Sequence, residues 1–206
     1  MSETILVPGG RDVRGTLETA DSNADSTAAV VACPPHPQQG GHRGDERLVA
    51  VADELTDRGV DCLRFDYGPW DEGRGEREDA ARAVEWVTER YDRAGLFGFS
   101  FGGAVALLTA ADGADVEAVS ALAPASGLPD GSDAVAAFEE IPVPVQVVYG
   151  TRDDVADAAA VADRAREFEQ SVVELEADHF FVGQAGKVAD RVAEFLVPWV
   201  RPEASP

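Results

Sequence analysis

The sequence predicts one α/β domain, a mostly parallel sheet of eight strands with helices on both faces. Three observations carry this. Short apolar runs alternate with amphipathic segments along most of the chain, as a parallel sheet with crossover helices requires. Two strand-like runs with no helix between them precede the alternation, so the sheet has a two-strand start. The 206 residues, 45% hydrophobic and 27% charged, suffice for one globular core and leave little room for a second.

Taken in order, the strand runs are 4–7, 13–17, 28–33, 60–65, 95–99, 116–122, 145–149 and 172–175. The helical segments are 46–58; a stripe of Ala80, Val84, Val87 and Tyr91; a short helix at 104–111; 155–168; and a C-terminal stripe of Val188, Val192, Phe195, Leu196 and Trp199. Residues 1–200 read as the single domain and 201–206 as a frayed tail. No internal repeat or low-complexity tract interrupts the pattern.

The formal net charge is −22, from 17 Lys plus Arg against 39 Asp plus Glu, and Lys187 is the only lysine. Such a surface repels a phosphate backbone and an anionic bilayer, so neither nucleic acid nor membrane is an expected partner. The carboxylates are spread along the chain, the pattern of a halophilic protein whose self-repulsion is screened by concentrated salt. The N-terminus lacks a basic run followed by an apolar core, and no stretch is long enough to span a bilayer, so a cytoplasmic location is expected. Cys33 and Cys62 close or lie within apolar runs and are expected as buried free thiols, without a disulfide. A zinc site from Cys33, His36, His42 and Cys62 is disfavoured by poor spacing, so no metal is expected.

In a parallel sheet, sites form beyond the carboxyl ends of the strands. There the chain reads Gly98-Phe99-Ser100-Phe101-Gly102, a G-x-S-x-G elbow between a strand and a helix. The serine occupies a strained turn, the flanking glycines let backbone approach, and the helix N-terminus favours developing negative charge. A dinucleotide fingerprint would need glycine where Ser100 stands, and a phosphate-binding loop would need lysine where Ala104 stands. Ser100 is therefore the nucleophile candidate.

A serine hydroxyl needs an imidazole to take its proton and a carboxylate to fix the imidazole tautomer. In folds built on such an elbow the order is Ser, acid, His, which selects His179 over His36 and His42. The run 145–149 is followed by Gly150-Thr151-Arg152-Asp153-Asp154; Gly-x-x-Asp spacing favours Asp153 as the acid, with Asp154 expected to cap the next helix. Asp178 is expected as a solvated loop carboxylate. An oxyanion hole needs two backbone N–H donors. Phe101 supplies one; Pro34, Pro35 and Pro37 have none to give, leaving His36 or Gln38, of which His36 is preferred.

The His-Pro and Gly-Gly of 36–41, Leu63-Arg64-Phe65-Asp66, the elbow, Gly150-x-x-Asp153 and Asp178-His179-Phe180-Phe181 occur in order over most of the chain. On these motifs it resembles the α/β-hydrolase superfamily, specifically small dienelactone-hydrolase-like proteins. The resemblance implies a cofactor-free Ser-Asp-His hydrolase of carboxylic esters or related acyl bonds, with a small-molecule acyl substrate. Two departures stand out: Pro34 replaces the first histidine of the family's His-Pro-His-Pro, and Tyr67-Gly68-Pro69-Trp70 replaces an Arg-Gly segment, making Trp70 a candidate apolar wall for substrate. The segment 124–144 is too short for a folded cap, so an open cleft is expected. Two alternatives share the fold: a binding protein with a silent triad, and a cofactor-free perhydrolase.

Overall fold

The computed structural model describes residues 1–20 and 26–201. Its sheet has eight strands: β1 (Ser2–Val7), β2 (Val13–Glu18), β3 (Ala28–Cys33), β4 (Asp61–Asp66), β5 (Arg93–Phe99), β6 (Val119–Leu122), β7 (Val145–Gly150) and β8 (Ser171–Leu175). Their spatial order is β1-β2-β4-β3-β5-β6-β7-β8. The first two strands run antiparallel, β2 is antiparallel to β4, and every later pairing is parallel.

Side chains alternate across the sheet as strand geometry requires. On β3, Ala29, Val31 and Cys33 face one core layer and Ala28, Val30 and Ala32 the other. The first layer is closed by α2 (Arg74–Thr88), α3 (Phe101–Ala111) and α4 (Ala158–Glu167). The second is closed by α1 (Glu46–Asp57) and α5 (Ala185–Val200). Helix α1 buries Leu48, Val51, Ala52 and Leu55, spaced to form one stripe. Two of the polar residues inside are paired across the sheet, with Ser120 Oγ 2.8 Å from Gln146 Oε1 and Gln146 Nε2 donating to the Arg191 carbonyl of α5, whereas the buried Thr109 Oγ1 has no partner among the described residues.

The structure corrects several expected boundaries. Strand β6 begins at Val119 rather than 116, because its ladder to β7 starts opposite Val145, after Pro144. Tyr91 lies beyond α2; the N–H groups of Arg90 and Tyr91 both turn back to the Val87 carbonyl, and the Tyr91 hydroxyl donates to Asp61 instead. On α5 the covered stripe runs through Val188, Val192, Leu196 and Val200, with Trp199 43% exposed. Val200 wins that place because Gly95 has no side chain: a Cβ there would lie 3.0 Å from a Val200 methyl. Of the expected tail, 202–206 lie outside the described residues, whereas Arg201 donates from Nη1 to the Arg58 carbonyl.

Among the described residues no cap domain covers the strand ends. Between β6 and β7 the chain makes a short bridge, Gly127 to Asp133, and a 3-10 turn at Ala136–Glu139. Among the described residues no helix is long and apolar enough to cross a membrane.

Candidate active site

Ser100 sits between β5 and α3 with φ 56° and ψ −117°, a conformation that L-residues avoid. Its N–H donates to the Leu122 carbonyl at 2.8 Å, and its own carbonyl accepts from Gly103, Ala104 and Ala125. The flanking glycines are sterically required. A Cβ on Gly98 would lie 2.0 Å from the Gly102 carbonyl oxygen, and one on Gly102 would lie 2.3 Å from the Cys33 carbonyl oxygen. Helix α3 starts at Phe101 rather than at the expected Ala104: Gly102 and Gly103 lie in its first turn, where Gly102 lets the helix press against the end of β3.

His179 Nε2 lies 3.0 Å from Ser100 Oγ, and Nδ1 lies 2.8 Å from Asp153 Oδ2. The three side chains are thus brought into one line. Those of His179 and Asp153 are only 4% and 3% exposed, so the pair is shielded from water. The two loops run side by side because the ladder continues past the strands: Thr151 N–H donates to the Leu175 carbonyl and Arg152 N–H to that of Ala177. Gly150 permits this approach, since a Cβ there would be 2.5 Å from the Ala177 carbonyl oxygen.

Asp153 has a second task. Its Oδ1 accepts from the N–H groups of Val155 and Ala156, fixing the turn that carries the carboxylate. That turn delays α4 to Ala158, where Asp157 occupies the cap position without a side-chain bond. The expected capping by Asp154 is therefore incorrect: Asp154 is exposed and one full turn too early. Asp178 is exposed, accepting the Phe180 N–H.

The loop after β3 reaches the start of α3. Phe101, as the first residue of that helix, has no intrahelical acceptor for its N–H. Of the two candidates on the loop, the Gln38 N–H is taken by His36 Nδ1 at 3.3 Å. Among the described residues the N–H groups of His36 and Phe101 donate to no protein acceptor. The His36 ring stacks on Trp70 at 4.6 Å and leans on Phe101 at 4.9 Å, while Trp70 also meets Phe101 at 5.6 Å. Burial in this cluster lowers the His36 pKa, a shift only partly opposed by Glu76.

Sequence reasoning missed what holds Trp70. Buried Glu76 accepts from the N–H groups of Asp71 and Gly73, and buried Asp79 accepts from Gly68 N–H and Arg11 Nε. Arg11 also donates to the Pro69 carbonyl. Burial raises the Asp79 pKa, while the bonds from Arg11 and Gly68 oppose that shift. The legible signal was a Glu at the third position of a helix that follows Gly73. Cys33 and Cys62 are free and buried, and burial raises both thiol pKa values, so neither competes as a nucleophile. Among the described residues no three His, Cys, Asp or Glu side chains gather as a metal site would need.

The family model for the dienelactone hydrolase family matches residues 67–186, which include Trp70, Ser100, Asp153 and His179. No curated protein matches significantly. Among solved structures the chain is similar to an α/β serine hydrolase homologue from Coxiella burnetii, at 25% identity over 94% of this chain and 97% of that one, with a TM-score of 0.80. It is similar in fold to a serine hydrolase without lid from Xanthomonas campestris, at 24% identity, covering 100% and 97% of the two chains, with a TM-score of 0.81. A dienelactone hydrolase from Anabaena variabilis gives 23% identity, coverage of 98% and 99%, and a TM-score of 0.81. With more than half its length matched to the family model, on a lidless eight-stranded sheet, the chain belongs to the dienelactone hydrolase family and is a hydrolase.

Proposed function

We propose that this hydrolase cleaves carboxylic esters or related acyl bonds of small molecules through a Ser100-His179-Asp153 triad. The observation that carries the reading is the unbroken relay from Ser100 Oγ to His179 Nε2 at 3.0 Å and from Nδ1 to Asp153 at 2.8 Å. Ser100 Oγ attacks the acyl carbon while His179 Nε2 takes its proton, and Asp153 stabilises the imidazolium. The carbonyl oxygen, now an anion, accepts from the N–H groups of Phe101 and His36. Collapse breaks the bond to the leaving alkoxide, which takes the proton from His179. Water, deprotonated by the same ring, then attacks the acyl-enzyme, releasing the acid and restoring Ser100. Each step balances with substrate and water alone, so the reading needs no cofactor.

Trp70, stacked on His36, would form an apolar wall beside the acyl group. The open strand ends suit short or soluble acyl substrates rather than long lipids. A fluorophosphonate probe should label the wild-type protein stoichiometrically, with peptide mapping placing the adduct on Ser100; an unlabelled protein, or an adduct elsewhere, would overturn the mechanism.

We further read the chain as one cytoplasmic domain over 1–200, and as halophilic on its charge of −22 and lone lysine. In ~10 mM salt the Debye length is about 30 Å, so carboxylates across the domain repel one another; in ~1 M salt it is about 3 Å. Salt also weakens attractive pairs such as Arg166–Asp163 and Arg191–Glu194, but exposed pairs contribute only ~0–1 kcal/mol each. The large excess of anions decides the sign, and Tm should rise from dilute buffer to molar KCl. Calorimetry at the two concentrations checks this, a flat or falling Tm removing the halophilic reading.

A further inference from the structure

We infer that Arg47 is a positioning residue for His179, clamping the loop that carries the base to the loop that supplies the oxyanion donor. This rests on the triad proposed above. Arg47 stands in the first turn of α1, at the far end of the segment that begins with His36. Its guanidinium is held by Asp45, with Nε 2.8 Å from Oδ1 and Nη2 closing the second arm of the fork on Oδ2. Asp45 Oδ1 also accepts the Arg47 N–H, capping the helix. Both side chains are largely buried, at 15% and 10% exposed, so the pair is fixed rather than solvated.

From that anchor Arg47 reaches the base in two ways. Nη1 donates to the Phe180 carbonyl at 3.0 Å, one residue after His179 and 133 residues from Arg47 in sequence. The guanidinium carbon also lies 4.5 Å from the centroid of the Phe99 ring, whose other neighbour is the His179 ring at 5.2 Å. Phe99 therefore touches both the Arg47 cation and the His179 imidazole, its ring tilted 33° to the imidazole, while the Arg47 hydrogen bond holds the residue that follows His179. The clamped loop turns through Phe181 at φ 51°, a disfavoured conformation that external contacts must hold. Because Asp45 neutralises Arg47, the clamp supplies geometry rather than net charge.

Arg47→Met keeps an unbranched apolar side chain and removes both the donors and the cation over Phe99. With rates normalised to Ser100 sites titrated by fluorophosphonate, kcat should fall about 10- to 100-fold, the scale on which small displacements of a catalytic group act, with KM changed less than about 2-fold. Arg47→Lys should recover only part of the loss, since an ammonium cannot hold Asp45 through two parallel bonds and also reach the Phe180 carbonyl. A folded Arg47→Met protein with wild-type kcat per titrated site, or with its loss confined to KM, overturns the inference. Should Arg47→Met not fold, Asp45→Asn decides: it keeps the cap acceptor but weakens the fork, so a reduced kcat per site supports the clamp and an unchanged one overturns it. His179→Ala run in parallel separates the two readings, because activity surviving that change sinks the triad itself, whereas its loss beside a fully active Arg47→Met sinks only the clamp.

Discussion

Ser100→Ala should lower kcat for ester hydrolysis by on the order of 10³-fold or more and abolish fluorophosphonate labelling, with KM little changed. The change removes one oxygen, the atom 3.0 Å from His179 Nε2, and leaves the N–H of Phe101 and the helix N-terminus in place. Substrate binding should therefore survive while the covalent step is lost. The backbone offers an independent check. Alanine inherits the strain of φ 56° and ψ −117°, whereas glycine adopts that region freely, so Ser100→Gly should melt higher than Ser100→Ala while being equally inactive. Initial rates and calorimetry on the two variants check both statements; labelling that persisted in either would remove Ser100 from the mechanism.

What the sequence makes legible here is whatever depends on local chemistry. Strand β3 is found to the residue because six consecutive apolar side chains, preceded by Ser26-Thr27 and ended by Pro34-Pro35, have one reading. The elbow is found because its glycines answer steric demands within five residues of one another. Helix starts are less legible where a turn intervenes. The segment 155–157 carries residues compatible with helix, yet Asp153 Oδ1 takes two of its N–H groups into a turn that the three-dimensional position of His179 requires. Long-range partners are not legible at all: nothing near Arg47 announces a bond to Phe180, and nothing near Asp79 announces Arg11, 68 residues away. These long-range contacts are set by which loops the sheet order brings together. Local periodicity carries no information about that order.

Asp153→Asn tests the other end of the relay and should lower kcat by on the order of 10³- to 10⁴-fold with little change in Tm. Asparagine is nearly isosteric, and its Oδ1 can keep accepting from Val155 and Ala156, so the turn that places the side chain should persist. What changes is the atom facing His179 Nδ1 at 2.8 Å: an amide NH₂, which donates, replaces a carboxylate oxygen, which accepts. Nδ1 must then accept, the imidazole proton moves to Nε2, and the ring presents a donor to Ser100 Oγ in place of the lone pair that should take its proton. The imidazolium formed during attack also loses its counter-charge in a pocket where both side chains are almost fully shielded from water. Asp154→Asn, one residue away and exposed, should leave kcat within about 2-fold, because its side chain faces solvent rather than the imidazole. Steady-state kinetics on the pair decide the assignment: a large loss at residue 153 and none at 154 follows from the relay, and the reverse pattern would transfer the acid's role to Asp154.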